Sequence, residues 1–226
     1  MKRRNLFFTV MMMSVFTLLG CGKAQTTNSN DVIMPNALAL TDTAGDEMPD
    51  GSYHISFDGS KDVKDENGDY LLTANFYEYD RYAIDLIEGL KGGETIQYKG
   101  EQVKIDSVDP CTDESGNIVG IDLNGGLENG GIYLLNDKDE GCYRGCLFDD
   151  SYDLYSIGTG TIKISKDVAF SDYTGLEGPD AALPDSEIKH YDDLLPALQD
   201  KQFGGTNTYM TIRGNEVIQI NVIWIP

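Results

Sequence analysis

The chain has 226 residues, of which 38 are acidic and 17 are basic, and its formal net charge at pH 7 is −21. Nucleic-acid binding requires a basic patch that displaces counterions from phosphates, so this charge balance argues against a nucleic-acid partner. Hydrophobic residues make up 40% of the chain, which is enough for a folded core and excludes a wholly disordered acidic tail.

The first twenty-one residues have the pattern of a bacterial export signal. Three basic residues at positions 2–4 precede an uncharged apolar stretch, residues 6–19, which is shorter than the roughly twenty residues that span a bilayer. The stretch leads into Leu-Leu-Gly-Cys at residues 18–21, which resembles the lipobox of bacterial lipoproteins. The resemblance implies that a signal peptide, residues 1–20, is removed and that acyl chains such as palmitate are attached at Cys21. An ordinary signal peptide followed by a chance cysteine is the alternative.

Lipid attachment would determine where the protein is located. Removal of residues 1–20 leaves 14 basic and 38 acidic residues, so the mature chain carries a charge of −24. Such a chain has no basic patch with which to hold an anionic membrane surface, so the lipid must provide the attachment. We therefore expect a protein on the extracytoplasmic face of the cell membrane, with the membrane as its partner through the N-terminal lipid.

Residues 21–50 are rich in Thr, Asn, Ser, Asp and Ala and show no sustained periodicity. This composition predicts a flexible tether, which over about 28 residues would span on the order of 30 Å. Apolar residues at 32–34 and 37–40 leave an alternative, in which part of this segment docks onto the folded domain as an extra strand.

Beyond residue 51 the chain alternates polar and apolar residues in short segments separated by glycine-rich and asparagine-rich turns. This pattern predicts a mainly β domain over residues 51–226, with an antiparallel barrel-like or sandwich-like fold and two short helices. The predicted strands are residues 53–57, 70–79, 95–108, 118–123, 132–135, 142–148, 155–170, 208–213 and 217–225.

The two predicted helices begin at similar sequence features. The first is capped by Asp80 and ends near Gly92; the second is capped by Asp192 or Asp193, which places Pro196 in its first turn, where proline is tolerated. Each helix precedes a predicted hairpin, so the chain has an alternative organisation as two similar halves, residues 51–128 and 129–226.

The last predicted strand places Ile218, Ile220, Val222 and Trp224 on one face, which we expect to be buried. This strand is similar to those that close small β modules of uncharacterised bacterial surface lipoproteins. That resemblance implies a fold and not an activity.

No motif in the sequence identifies a reaction. The two histidines, His54 and His190, fit surface or capping positions better than a catalytic triad, and the sequence has no zinc, phosphate-loop or dinucleotide motif. Residues 62–69 and 109–117 are rich in oxygen ligands but lack the spacing of a calcium loop, so they are predicted to be hairpin turns. We expect no cofactor, no metal and no catalysis, and a binding or structural role.

Paired carboxylates provide the rival hypothesis of a small carbohydrate-active hydrolase, which needs two acids about 5 to 9 Å apart. The acids that best fit a catalytic or binding site lie beside tyrosines. The tyrosines could also contact a glycan or a protein. The tentative ligand surface therefore consists of Tyr77, Tyr79, Asp149, Asp150, Tyr152 and Asp153. A solvated acidic loop and ordinary packing of the tyrosines are the alternatives.

Three further cysteines are Cys111, Cys142 and Cys146. If Cys142 and Cys146 share a strand, their Cα atoms lie about 13 Å apart, which exceeds the roughly 7 Å limit for a disulfide. A disulfide would then have to involve Cys111, and three thiols are the alternative.

Overall fold

The computed structural model describes residues 32–35, 49–172 and 191–223, and these residues are mainly β with two short helices. The predicted fold class is therefore confirmed. In chain order the elements are β1 (Gly51–Ser56), β2 (Val63–Glu66), β3 (Asp69–Glu78), β4 (Arg81–Ala83), α1 (Ile84–Glu88), β5 (Thr95–Tyr98), β6 (Glu101–Lys104), β7 (Val108–Thr112), β8 (Ile118–Leu123), β9 (Ile132–Asp137), β10 (Cys142–Cys146), β11 (Tyr155–Asp172), α2 (Tyr191–Leu198), β12 (Thr208–Arg213) and β13 (Glu216–Val222).

Five of these strands close into a small barrel. Strand β1 pairs with both β3 and β12, β12 pairs with β13, and β11 joins β13 to β3. The β11–β13 pair is parallel and the other four pairs are antiparallel. Closure satisfies the backbone hydrogen-bonding groups along both sides of these strands, so the barrel has no open edge.

The barrel core follows from the alternation of side chains along the strands. Leu72, Ala74 and Phe76 of β3 are buried, as the alternation predicts, and Ile55 of β1 is fully buried beside them. Helix α2 adds two leucines, Leu194 and Leu198, to the same core. Burial of these side chains is the main contribution to the stability of the barrel.

Residues 79–154 form a second lobe, which is inserted between barrel strands β3 and β11. Its five-stranded antiparallel sheet has the order β4-β10-β9-β8-β7, and a separate hairpin is formed by β5 and β6. The lobe has its own core, which includes Tyr82, Ile87, Ile96 and Leu134.

The sheet topology does not follow the alternative division into halves at residues 51–128 and 129–226. Strands β8 and β9 lie on either side of residue 128 and pair with each other. The local likeness behind that alternative is present, since α1 precedes the β5–β6 hairpin and α2 precedes the β12–β13 hairpin. One hairpin belongs to the closed barrel, however, and the other forms a two-stranded sheet in the inserted lobe.

Part of the predicted tether is docked on the inserted lobe. The backbone N–H of Ile33 donates to the Thr95 carbonyl at 2.9 Å, and the Ile33 carbonyl accepts from Gln97 N–H at 2.8 Å. The Ile33 side chain is buried in the lobe core beside Ile96. At residue 33 the structure therefore matches the docked alternative rather than a flexible tether; residues 21–31 and 36–48 lie outside the described residues.

Both helices differ in their starting points from the sequence expectation. Helix α1 begins at Ile84 with Ala83 at its N-cap position, because Asp80 uses its side chain to bind other parts of the chain. Helix α2 begins at Tyr191, so Pro196 lies inside the helix and not in its first turn.

The last strand departs from simple alternation. Val217, Ile220 and Val222 are buried, whereas Ile218 is only half-buried. A β-bulge in the pairing with β12, between Thr211 and Ile212, adds one residue and shifts the buried face. Trp224 and His190 lie outside the described residues.

No helix within the described ranges is long and apolar enough to cross a lipid bilayer.

The Ile55→Ala substitution tests the assignment of the barrel core. We expect it to lower the free energy of unfolding by about 2–5 kcal/mol, because it leaves a cavity among residues that interdigitate closely. Urea unfolding measures the change, and Lys166→Ala at an exposed position of β11 is the control, with an expected effect within about 0.5 kcal/mol. Equal effects of the two substitutions would contradict the assignment.

Candidate functional site

A buried polar node lies where the chain passes between the barrel and the inserted lobe. Asp80, which follows β3, is 1% exposed. Its carboxylate accepts hydrogen bonds from the Lys99 backbone N–H and from the Tyr155 hydroxyl, the latter at 3.0 Å. Its carbonyl accepts the Gly145 N–H at 3.0 Å. Asp80, just after the end of β3, therefore contacts β11 through Tyr155, the β5–β6 turn through Lys99 and β10 through Gly145.

A second buried carboxylate, Asp153, completes this node. Asp153 accepts the Tyr98 hydroxyl at 2.6 Å and forms an ion pair with the Lys99 ammonium group, while its backbone N–H donates to the Gly145 carbonyl at 3.1 Å. Burial raises the pKa of Asp80, and the donors from Lys99 and Tyr155 offset this effect only in part. Asp80 thus links the inserted lobe to Tyr155 of the barrel, whereas Asp153 acts as an acceptor within the inserted lobe.

An aromatic cluster lies next to the node. The ring of His54 lies 4.3 Å from that of Tyr209 and 5.3 Å from that of Tyr152, and the Tyr79 and Tyr152 rings are 4.4 Å apart, all measured between centroids. The hydroxyl of Tyr79 donates to Glu140 at 3.0 Å. His54 is 7% exposed, so the expectation of a surface or capping histidine was wrong. The cluster buries aromatic surface between the lobes.

Two guanidinium groups cover the aromatic cluster. The Arg81 guanidinium carbon lies 5.0 Å from the Tyr79 ring centroid, and that of Arg144 lies 4.3 Å from the Tyr152 ring centroid. Cation–π contacts of this kind add to the packing of the tyrosines.

The structure separates the tentative ligand surface into three groups. Tyr79 and Tyr152 pack against His54 at the seam between the lobes, and Asp153 is buried within the inserted lobe. Tyr77 lies on the barrel strand β3, and its hydroxyl is 3.0 Å from that of Ser56. Asp149 and Asp150 are exposed and share one tight turn.

This turn, residues 147–151, presents two apolar side chains to solvent. Leu147 is 41% exposed and Phe148 is 74% exposed, and they are two of the three large exposed hydrophobic residues in the described part of the chain. The turn is closed by a hydrogen bond from Leu147 N–H to the Ser151 carbonyl at 3.0 Å and one from Asp150 N–H to the Leu147 carbonyl at 3.1 Å. Asp149 also accepts the Ser151 hydroxyl at 2.6 Å.

Arg144 holds the turn from beneath. Its Nη2 donates to the Asp150 carbonyl at 3.1 Å, its Nη1 to the Cys146 sulfur at 2.7 Å, and its Nε to Asp137 at 2.8 Å. Burial alone would raise the pKa of Asp137, but donors including Arg144 and the Glu140 N–H lower it. The Arg144 side chain therefore links the turn to the sheet and to the aromatic cluster.

A cleft of about 320 Å³ adjoins the turn. Its charged lining residues are Asp122, Glu128 and Asp150, and its apolar lining residues include Leu147 and Phe148. Apolar and anionic groups are therefore presented together on one face of the inserted lobe.

A second cleft, of about 460 Å³, lies on the barrel. Its floor contains Phe57 and Phe203, whose rings stack with centroids 4.4 Å apart. Its acids already have partners, since Asp62 accepts the Asp58 N–H and Asp58 forms an ion pair with Lys61. These contacts stabilise the loop that borders the cleft.

The cysteines of the described residues are too far apart to pair. Cys111 lies on β7 and is separated from β10 by two intervening strands, a distance of about 14 Å. Cys142 and Cys146 share β10, as the sequence analysis anticipated. A disulfide between Cys111 and either cysteine of β10 is therefore excluded by distance. Burial raises the pKa of Cys146 to about 11, so its thiol stays protonated at neutral pH.

The two oxygen-rich segments form the hairpin turns that the sequence predicts. Asp65 accepts the Gly68 N–H between β2 and β3, and Asp113 accepts the N–H groups of Ser115 and Asn117 between β7 and β8. Among residues 32–35, 49–172 and 191–223, no group of three potential ligands is placed to hold a metal ion.

Sequence reasoning missed Phe148 and Arg144. Residues 142–148 were expected to form one strand, whereas β10 ends at Cys146 because Asp149, Asp150 and Ser151 supply the hydrogen bonds of a turn. The run of two aspartates and a serine was the available signal for that ending.

Comparisons of the chain with protein-family models, curated proteins and solved structures find no match.

The buried histidine makes stability depend on pH. Burial lowers the pKa of His54 below 6.5, so the folded state favours the neutral ring at neutral pH, with Nδ1 donating to the Gly205 carbonyl at 2.9 Å. Arg81 lowers this pKa further, whereas the Gly205 bond and Glu140 raise it. As pH falls below about 6.5, the unfolded chain binds the proton first, and the stability of the folded state decreases.

His54→Phe keeps an aromatic ring in the cluster and removes this titration. We expect the difference in unfolding free energy between the natural protein and the variant to be constant above pH 7 and to shift in favour of the variant below pH 6.5. Urea unfolding at several pH values measures it. A difference that stays constant from pH 8 to pH 5 would contradict the burial of a neutral His54.

Proposed function

We propose that this protein is a lipid-anchored extracytoplasmic surface protein whose folded domain binds a partner. The observation that carries the proposal is the Leu-Leu-Gly-Cys sequence at residues 18–21, which follows a basic start and a short apolar stretch. Stable anchoring requires two or more acyl chains. The resemblance to bacterial lipoproteins implies two or three at Cys21, which would hold the protein firmly.

The docked Ile33 supports a short connection to the membrane. Ile33 lies twelve residues after Cys21, and twelve residues reach at most about 40 Å when fully extended. Since Ile33 is paired with β5, this edge of the inserted lobe would stay within that distance of the lipid. The folded domain would then be displayed close to the membrane surface.

The exposed turn at residues 147–151 supports a binding role. Leu147 and Phe148 are adjacent and exposed, and contiguous exposed apolar side chains are a feature of interaction sites. Here Phe148 has no role in either hydrophobic core, and Arg144 fixes the turn that carries it.

The carbohydrate-active hydrolase remains the rival, and the buried acids Asp80 and Asp153 are where it can be tested. Both contact Lys99, and tyrosine hydroxyls occupy further acceptor positions. Asp153→Asn should destabilise the inserted lobe, because it removes the ion pair with Lys99 and weakens the hydrogen bond from Tyr98. Glycan hydrolysis by the natural protein that disappears in a variant shown to be folded would favour the hydrolase.

Cys21→Ser tests the anchor. In cells that express the full chain and are fed a fatty-acid analogue, we expect the natural protein to be labelled and recovered with membranes, and the variant to be unlabelled. Cys111→Ser is the matched control and should remain labelled, because Cys111 lies on β7 of the folded domain. An unlabelled natural protein, or equal labelling of the Cys21→Ser variant, would overturn the proposal.

A further inference from the structure

We infer that the 147–151 turn and the acidic cleft beside it form a docking surface for a cationic segment of a partner protein that also carries an apolar side chain. This inference rests on the binding role in the proposed function and deepens it by naming the chemistry of the partner. It does not depend on the lipid anchor.

The apolar part of the surface is Leu147 and Phe148. Phe148 is 74% exposed, so most of its ring is available to a partner. Aromatic residues that become buried on association contribute more to protein interfaces than most other residue types. The pair supplies a contact that a single apolar side chain of a partner can cover.

The 147–151 turn is ordered by hydrogen bonds within the protein itself, without a partner. Two backbone hydrogen bonds close it, and Arg144 bonds the Asp150 carbonyl from below. Arg144 is itself fixed by Asp137 and by the Tyr152 ring. A preorganised surface loses little conformational entropy on binding, which favours recognition by this turn.

Charge selects the partner. The charged side chains that line the cleft are Asp122, Glu128 and Asp150, and Asp149 lies next to them in the turn. Lysine or arginine side chains complement this lining. A second copy of the chain is disfavoured as the occupant, because each copy carries a net charge of −21, or −24 after removal of residues 1–20, and the copies would repel each other.

The test uses the protein as cells produce it from the full chain, placed in nanodiscs of neutral phosphatidylcholine if it carries the lipid and in buffer if it does not. Neutral lipid is chosen so that the bilayer itself does not attract cations. The probe is a fluorescent peptide of sequence Gly-Lys-Arg-Phe-Lys-Gly with blocked ends. The comparison peptides replace its phenylalanine by serine or its three basic residues by glutamate. Fluorescence anisotropy measures the dissociation constant at low and at physiological salt.

We expect the natural protein to bind the probe and to discriminate against both comparison peptides. Phe148→Ser should weaken binding at least tenfold, and its unfolding midpoint should match that of the natural protein because the side chain is exposed. Glu128→Gln and Asp150→Asn should each weaken binding about threefold or more and reduce its salt dependence. Asparagine suits residue 150, whose φ of 58° is in the left-handed region.

Glu114→Gln is the matched control, since it removes one acid from the exposed β7–β8 turn, away from the cleft. It should leave binding unchanged. The inference is overturned if the probe does not bind, if Glu114→Gln weakens binding as much as Glu128→Gln does, or if Phe148→Ser has no effect. It is also overturned if sedimentation shows Phe148-dependent self-association. None of these results bears on fatty-acid labelling at Cys21, so failure of the docking surface is distinguishable from failure of the anchor.

Discussion

The carboxylate of Asp80 is the contact on which the arrangement of the two lobes depends. It lies where β3 leaves the barrel, and it accepts the hydroxyl of Tyr155 at the start of the strand that returns. It also accepts the backbone N–H of Lys99 from the inserted hairpin. A buried carboxylate is costly unless donors satisfy it, so this geometry can exist only when the barrel and the inserted lobe are both in place. The node therefore makes the insertion part of one cooperative structure.

The position of the exposed turn follows from that node. Gly145 bonds both acids of the node through its backbone, and the next residues along β10 lead to Phe148. Arg144 adds a second link, because it contacts both the Tyr152 ring at the seam and the carbonyl of Asp150 in the turn. If Cys21 carries the proposed lipid, this turn would be displayed to a partner that meets the protein at the membrane.

The sequence was sufficient for the fold class and for many strand positions, because alternation and asparagine–glycine turns are local signals. Residues 118–123 and 208–213 form strands with the predicted bounds. The insertion could not be predicted, because it depends on β3 pairing with β11, which is distant in sequence. For the site, Asp149 and Asp150 were assigned to a tentative ligand surface, with a solvated acidic loop as the alternative, and both are exposed. The packing of Tyr79 and Tyr152 against His54 joins residues distant in sequence, which no local pattern reveals. Phe148 was assigned to a strand, since an apolar residue after Cys146 continues the β pattern.

Hydrogen exchange at the Lys99 amide tests the central claim most directly, because that N–H donates to Asp80, whose carboxylate also accepts the hydroxyl of the barrel residue Tyr155. If the node joins the lobes into one cooperative unit, this amide should exchange only by global unfolding, at the rate of amides in the barrel core such as Ile55. Exchange at Lys99 that is much faster than at Ile55, while the amides of β8 and β9 stay protected, would show that the lobes separate without unfolding and would contradict the account.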